Sequence, residues 1–223
     1  MIVDSMTHAE VYKELERDRY DVSRWWDHQI MAQRRRALKC TRWPLTLWFE
    51  HISPRRNRYV FCTRIFDKRM KAVLTGVAVL RRVADGTAVY TTWVTRQRLI
   101  SPMVLTPHMF RQYAHRANVR KSGLELIKHY FSHNALGADT DNQNVVGRSV
   151  RYNGEMHLSC CVAEGVLLGQ QQGNIYVVRT FITYEMCSGL QQRVFGEKRK
   201  EIKTERELYE AAKMYYRLNP TDG

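Results

Sequence analysis

Apolar residues Val11, Leu15, Val22, Trp26 and Ile30 recur at helical spacing, and Thr7-x-x-Glu10 sets a capping box in front of them. The pattern predicts a helix reaching about Leu38, with a break expected near Asp21 and a stop at Pro44. Four strand-like runs rich in β-branched and aromatic residues follow: Leu45–His51, Arg58–Phe66, Ala72–Arg82 and Thr87–Ile100. Ala84-Asp85-Gly86 and Asp67–Lys71 read as turns, so an antiparallel meander is expected.

Helical signals return at Thr106-Pro107, an N-cap followed by proline at the first helical position, predicting a helix to about Ala117. Ser122-x-x-Glu125 reads as a second capping box, opening a helix to about Leu136 that stops at Gly137. A polar loop over Ala138–Asn144 precedes three more strands, Arg148–Tyr152, Met156–Leu168 and Asn174–Thr183, with turns at Asn153-Gly154 and Gln172-Gly173-Asn174. A helix from about Tyr184 to Arg193 is expected next, and a third box, Thr204-x-x-Glu207, opens a final helix that ends before Pro220. This order predicts an α+β fold: antiparallel sheet or sheets built from two meanders, with N-terminal, mid-chain and C-terminal helices packed against them. One composite domain over residues 1–223 is expected, with a change of charge near residue 137 as the sole hint of a sub-boundary.

Composition changes this picture in one respect. The 223 residues are ordinary in being 44% hydrophobic and 26% charged, but the formal net charge is +14. Residues 31–130 alone hold 21 basic and 4 acidic residues, a net +17, while residues 1–30 are net −3. No apolar run approaches the roughly 18 residues of a membrane helix, and the first ten residues lack the basic and apolar regions of a secretory signal, so a cytoplasmic protein is expected. Cys40, Cys62, Cys160, Cys161 and Cys187 form an odd set without a Cys-x-x-Cys pair, predicting buried thiols rather than a disulfide framework or zinc ribbon. Vicinal Cys160 and Cys161 fall in a strand and are expected on opposite faces.

The basic segment is mostly arginine, whose planar fork suits phosphate. Its candidate nucleic-acid contacts are Arg34, Arg35, Arg36, Lys39 and Arg42 after the first helix; Arg55, Arg56, Arg58 and Arg64 around the second strand; Arg96 and Arg98; and Arg116, Arg120 and Lys121. Trp43, Trp48, Tyr59, Phe61, Tyr90 and Trp93 are interleaved with them, the combination of charge and rings that nucleic acid requires. An acidic protein partner is the alternative for the same face.

Histidines supply the other candidate chemistry. His108, Arg111 and His115 form one helical stripe at i, i+3, i+7, which with Arg148 and Arg151 offers a base, an acid and phosphate charge stabilisation for metal-free cleavage of a ribose phosphodiester. A His/Arg helix followed by an antiparallel sheet and a Thr-bearing strand is loosely similar in layout, over about residues 106–183, to compact metal-free ribonucleases of the bacterial toxin type. That likeness carries no shared signature and assigns no residue role. His129 and His133 at i, i+4 have the spacing of metal ligands but lack the glutamate of H-E-x-x-H and an obvious third ligand, so neither metal nor cofactor is assigned. Arg179, inside a predicted central strand, is expected in a structural ion pair with Glu164 or Glu185. Phosphate-binding glycine loops and the G-x-S-x-G elbow are absent, which argues against an ATPase, a Rossmann dehydrogenase and an α/β-hydrolase.

Overall fold

A computed structural model describes residues 1–70, 73–94, 99–134, 146–152, 155–172 and 175–202, together with 207, 210 and 214; for residues 74, 92–94, 99–102, 146–152 and 155–158 it describes the backbone alone. In chain order the described elements are α1 (His8–Ala32), α2 (Arg34–Lys39), β1 (Leu45–Ile52), β2 (Arg58–Ile65), β3 (Val73–Val83), β4 (Gly86–Val94), β5 (Leu99–Leu105), α3 (Pro107–Arg116), α4 (Gly123–His133), β6 (Val146–Tyr152), β7 (Glu155–Val162), β8 (Gly165–Gln172), β9 (Ile175–Ile182) and α5 (Gly189–Arg199).

The fold is α+β, and the two meanders form one sheet in the order β1-β2-β3-β4-β5-β9-β8-β7-β6. Neighbours are antiparallel except at the seam, where β5 and β9 run parallel through Met103↔Tyr176, Val104↔Val177 and Leu105↔Val178. Strand alternation sorts the two faces. Val60, Cys62, Val89, Leu105 and Val178 pack with Met109, Tyr113, Ile127 and Phe131 of α3 and α4. Tyr59, Phe61, Val79, Tyr90, Val104 and Val177 pack with Val11, Leu15 and Val22 of α1. Cys160 joins the α3–α4 core and Cys161 lies on the opposite face with Val166, Cys187 and Phe195 of α5, as strand alternation requires.

The end of α4 contacts both halves of the sheet. Arg64 of β2 donates to the carbonyl of Ser132 at 2.6 Å. Two residues later Asn134 donates to Glu164, in the β7–β8 turn, at 2.8 Å. In a flat sheet β2 and β8 stand five strand spacings apart, about 24 Å. A helix about 10 Å across, extended by the Arg64 side chain on one side and by the Asn134–Glu164 pair on the other, bridges that span.

Several expectations shift by element. α1 runs through Asp21 without a break and ends at Gln33, a cap residue from which α2 starts afresh. The Thr7–Glu10 capping box forms, but Ser122 makes no side-chain cap bond. The Thr87–Ile100 run splits into β4 and the start of β5, and Met156–Leu168 folds into the β7–β8 hairpin. Tyr184–Met186 is a single 3-10 turn, with α5 beginning only at Gly189. The expected stop at Gly137 and the loop behind it, the turns at Asn153-Gly154 and Gly173-Asn174, and most of the Thr204–Glu207 box lie outside the described residues.

Arg179 is exposed and has neither Glu164 nor Glu185 as an ion-pair partner. Pairing passes from Leu168↔Thr180 to Gly169↔Val178, so Arg179 is the extra residue of a β-bulge. The bulge lets Val178 and Phe181, three apart, both face α3 and α4. Gly169 makes it feasible, because a Cβ there would sit 2.2 Å from the carbonyl oxygen of Val177.

α1 is fastened by a buried carboxylate. Asp18, 2% exposed, accepts from Ser53 Oγ at 2.7 Å, Asn57 Nδ2 at 2.7 Å and Tyr59 Oη at 3.0 Å, with Arg55 at 3.7 Å. Burial, then the Asp18 charge, pushes the Tyr59 phenol far above its ordinary range, so it stays a donor. Asp18→Ala strands three buried donors and is expected to lower stability by about 3 kcal/mol or more, measured by urea unfolding.

Candidate nucleic-acid interface

The exposed basic patch is built on one small residue. α2 buries Ala37 completely, against Leu47, Ile65 and Val73 with Ile30, Trp43 and Met70 around them. With that face fixed, Arg34, Arg35, Arg36 and Lys39 all point to solvent, as does Arg42 just beyond. The same small core includes Met70 and Val73, so it draws the β2–β3 turn alongside, with Lys68 and Arg69 exposed on it. Asp67 Oδ1 accepts from the Arg69 amide at 2.8 Å and shapes that turn. Seven cations therefore meet at the corner where edge strand β1 begins.

Other candidate contacts have internal duties. Arg58 is paired with Glu50 at 2.7 Å and Arg55 with Asp18. Arg64 satisfies a carbonyl in the last turn of α4, and Arg116 holds Thr180 Oγ1 at 3.2 Å together with the carbonyl of Phe181. These groups stitch helices to the sheet. Arg56, Arg120 and Lys121 are exposed, Arg56 with a positive φ of 60°. Arg96 and Arg98 lie outside the described residues.

The stripe His108, Arg111, His115 is exposed, while Met109, Phe110 and Tyr113 on the opposite face of α3 are buried, as the spacing implies. Arg111 donates to the Asp85 carbonyl at 2.8 Å and its carboxylate at 3.0 Å, which ties α3 to the β3–β4 hairpin. α3 lies on β9 and β4. Arg148 and Arg151 belong to β6, the far edge of the sheet and three strands beyond β9; their side chains are outside those described.

A different cluster does assemble. Trp48 of β1, Lys121 and the α4 residues Glu125, Lys128, His129, Ser132 and His133 line an open depression of about 360 Å³. Behind it runs a hydrogen-bond chain. Tyr113, fully buried, donates its hydroxyl proton to Glu164 at 2.6 Å, and His129 Nδ1 lies 3.0 Å from the Tyr113 hydroxyl oxygen. The phenol has one proton and gives it to Glu164, so Nδ1 must carry the imidazole proton and Nε2 is left as an acceptor. His133 Nδ1 lies 2.9 Å from the His129 carbonyl, which fixes the same tautomer. The two rings stack, with centroids 4.1 Å apart and planes 18° apart. Near-parallel planes at that spacing share no point that a metal about 2.1 Å from each nitrogen can occupy, so this geometry does not chelate. Among the described residues no group of three His, Cys, Asp or Glu is placed to hold a metal ion.

His129 and His133 were legible as an i, i+4 pair and Lys121 as a candidate contact, while Lys128 was not singled out. The roles of Tyr113 and Glu164 were not legible, because 51 residues separate them and they meet only through the packing of α3 on β9, beside β8.

Burial, then the charges of His133 and Lys121, holds the His129 pKa below its ordinary value, against an upward pull from Glu164. An NMR titration is expected to place its midpoint below that of an unperturbed imidazole, with Lys121→Gln moving it up. The folded state disfavours this proton, so the unfolded chain binds it first, and stability is expected to fall as pH drops below 6.5. No protein-family model, no curated protein and no solved structure matches the chain.

Proposed function

We propose that this chain binds nucleic acid through phosphate contacts at the α2 corner. The observation that carries the reading is the set of Arg34, Arg35, Arg36, Lys39 and Arg42, exposed together and in no ion pair among the described residues. Exposed like charges so close repel one another, and a polyanion relieves that repulsion and releases its own counterions. Arg64, Arg111 and Arg116, bound to protein groups, define what a structural arginine looks like in this molecule, and the corner differs from it. The proposed activity is binding; the His108–Arg111–His115 stripe is assigned no step. A cytoplasmic setting fits the five cysteines, none of which is in a disulfide. No helix among the described residues is long and apolar enough to cross a membrane.

The purified protein is expected to carry nucleic acid, seen as a raised 260/280 nm absorbance ratio that high salt removes. Replacing Arg34, Arg35 and Arg36 together by alanine is expected to weaken oligonucleotide binding by about tenfold or more near physiological salt. The fold should be intact, since Ala37 alone anchors α2. Unchanged affinity in that variant, or equal affinity for polyglutamate, contradicts the reading; the second result points to an acidic protein partner.

A further inference from the structure

We infer that the depression between β1 and α4 is a nucleotide pocket, which takes one unpaired nucleotide of the strand bound at the corner. The inference rests on the proposed nucleic-acid binding for its biological ligand, but the pocket is argued from its own geometry.

Three features converge on that ligand class. The first is shape: an open depression of about 360 Å³ leaves room for one flat ring laid against its wall, with the rest of the ligand in solvent. The second is the walls. A nucleotide presents a flat aromatic ring and an anion. The depression presents the Trp48 indole and two imidazoles held as a stacked pair, with the ammonium of Lys121 at its rim; Lys128 and Glu125, also in the lining, are paired with each other. Ring-on-ring stacking beside cations is how single-stranded bases are held without reading a duplex. Lys128 is kept in place by Glu50 and Glu125, each at 3.6 Å, and Lys121 is exposed at the rim.

The third feature is the polar chain that supports the wall. Glu164, Tyr113 and His129 are linked at 2.6 and 3.0 Å, next to the aromatic rings of Tyr130 and Phe181, where a phenylalanine at 113 would pack without a polar partner. Asn134 also holds Glu164, donating at 2.8 Å to the same Oε2 that accepts from Tyr113 and accepting from the Glu164 amide at 3.2 Å. Burying such a chain carries a desolvation penalty. Its effect is to set the orientation and tautomer of His129, and the His129 carbonyl sets His133 in turn. Both Nε2 atoms become acceptors beside the cations, matched to hydroxyl or exocyclic amine donors of a nucleoside. Ring orientation of this kind is a device for recognition rather than for packing.

The corner and the pocket lie on opposite faces of β1, three residues or about 10 Å apart along the strand from Leu45 to Trp48. β1 is the edge of the sheet, so an oligonucleotide reaches both by passing over that edge.

The probe is adenosine 5′-monophosphate, followed through the ring-proton NMR signals of His129 and His133, with inorganic phosphate as the second probe. Saturable shifts of both histidines with the nucleotide, and much smaller ones with phosphate alone, are expected. Trp48→Leu should weaken the nucleotide about tenfold. Because Trp48 also packs on the core, Lys121→Glu at the exposed rim serves as the second variant, with a loss of about fivefold. No saturable shift, equal shifts with phosphate alone, or both variants binding like the parent overturns the pocket. Binding of a labelled single strand is read separately by anisotropy. If that binding depends on Arg34–Arg36 while the nucleotide leaves both histidines unmoved, the pocket fails and the corner stands. If the histidines shift but strand affinity ignores those arginines, the corner fails and the pocket stands.

Discussion

The parallel seam between β5 and β9 is the constraint on which the rest of the structure depends. It consists of three residue pairs, and both principal cores pass through it. Met103, Leu105 and Val178 face α3 and α4, while Val104 and Val177 face α1. Without the seam the two meanders would be separate sheets, neither able to cover both faces of its apolar strands. With it, β8 lies beside β9, on which α3 packs, so that Glu164 at the β7–β8 turn reaches Tyr113, while Arg64 of the other meander reaches the end of α4. Thr106 reinforces the junction at the start of α3, its amide donating to the Val178 carbonyl at 3.2 Å. The Arg179 bulge, one residue further along β9, adjusts the strand so that Phe181 remains in the same core.

The basic composition resolves into two populations with different physics. Arginines in or beside the sheet reach across elements: Arg81 is buried, and donates to Tyr90 and to the carbonyls of Asp4 and Met6 at 2.7–2.8 Å. Each such bond ties one element to another, as Arg81 ties the N-terminal segment to the sheet. The side chains of the α2 cations are in no ion pair among the described residues. Their packing anchor is an alanine, so the charge on this helix is separable from its stability in a way that the charge at Arg64 or Arg81 is not.

How much of this was readable in the chain follows from the range of each interaction. The Thr7–Glu10 box and the Thr106-Pro107 start of α3 are local, and both formed as read. The β7–β8 turn was missed because Ala163-Glu164 carries no turn chemistry of its own. Its Glu164 amide and carboxylate are held by Asn134, 30 residues away. The bulge at Arg179 was equally hidden, since it depends on Gly169 allowing the Val177 backbone to approach. Charge told more than it could assign. The +17 segment marked a surface rich in cations, but sorting Arg64 and Arg116 from Arg34–Arg36 needed the positions of carbonyls and hydroxyls that lie tens of residues away.

The claim that the α2 corner is a phosphate-binding surface is tested most directly by the salt dependence of single-strand binding. If Arg34, Arg35, Arg36, Lys39 and Arg42 each neutralise a phosphate, log K against log salt has a slope of about −3.5. Removing the three arginines should flatten that slope by about 2. A slope near zero in the parent protein, or one left unchanged by the triple replacement, would contradict the account.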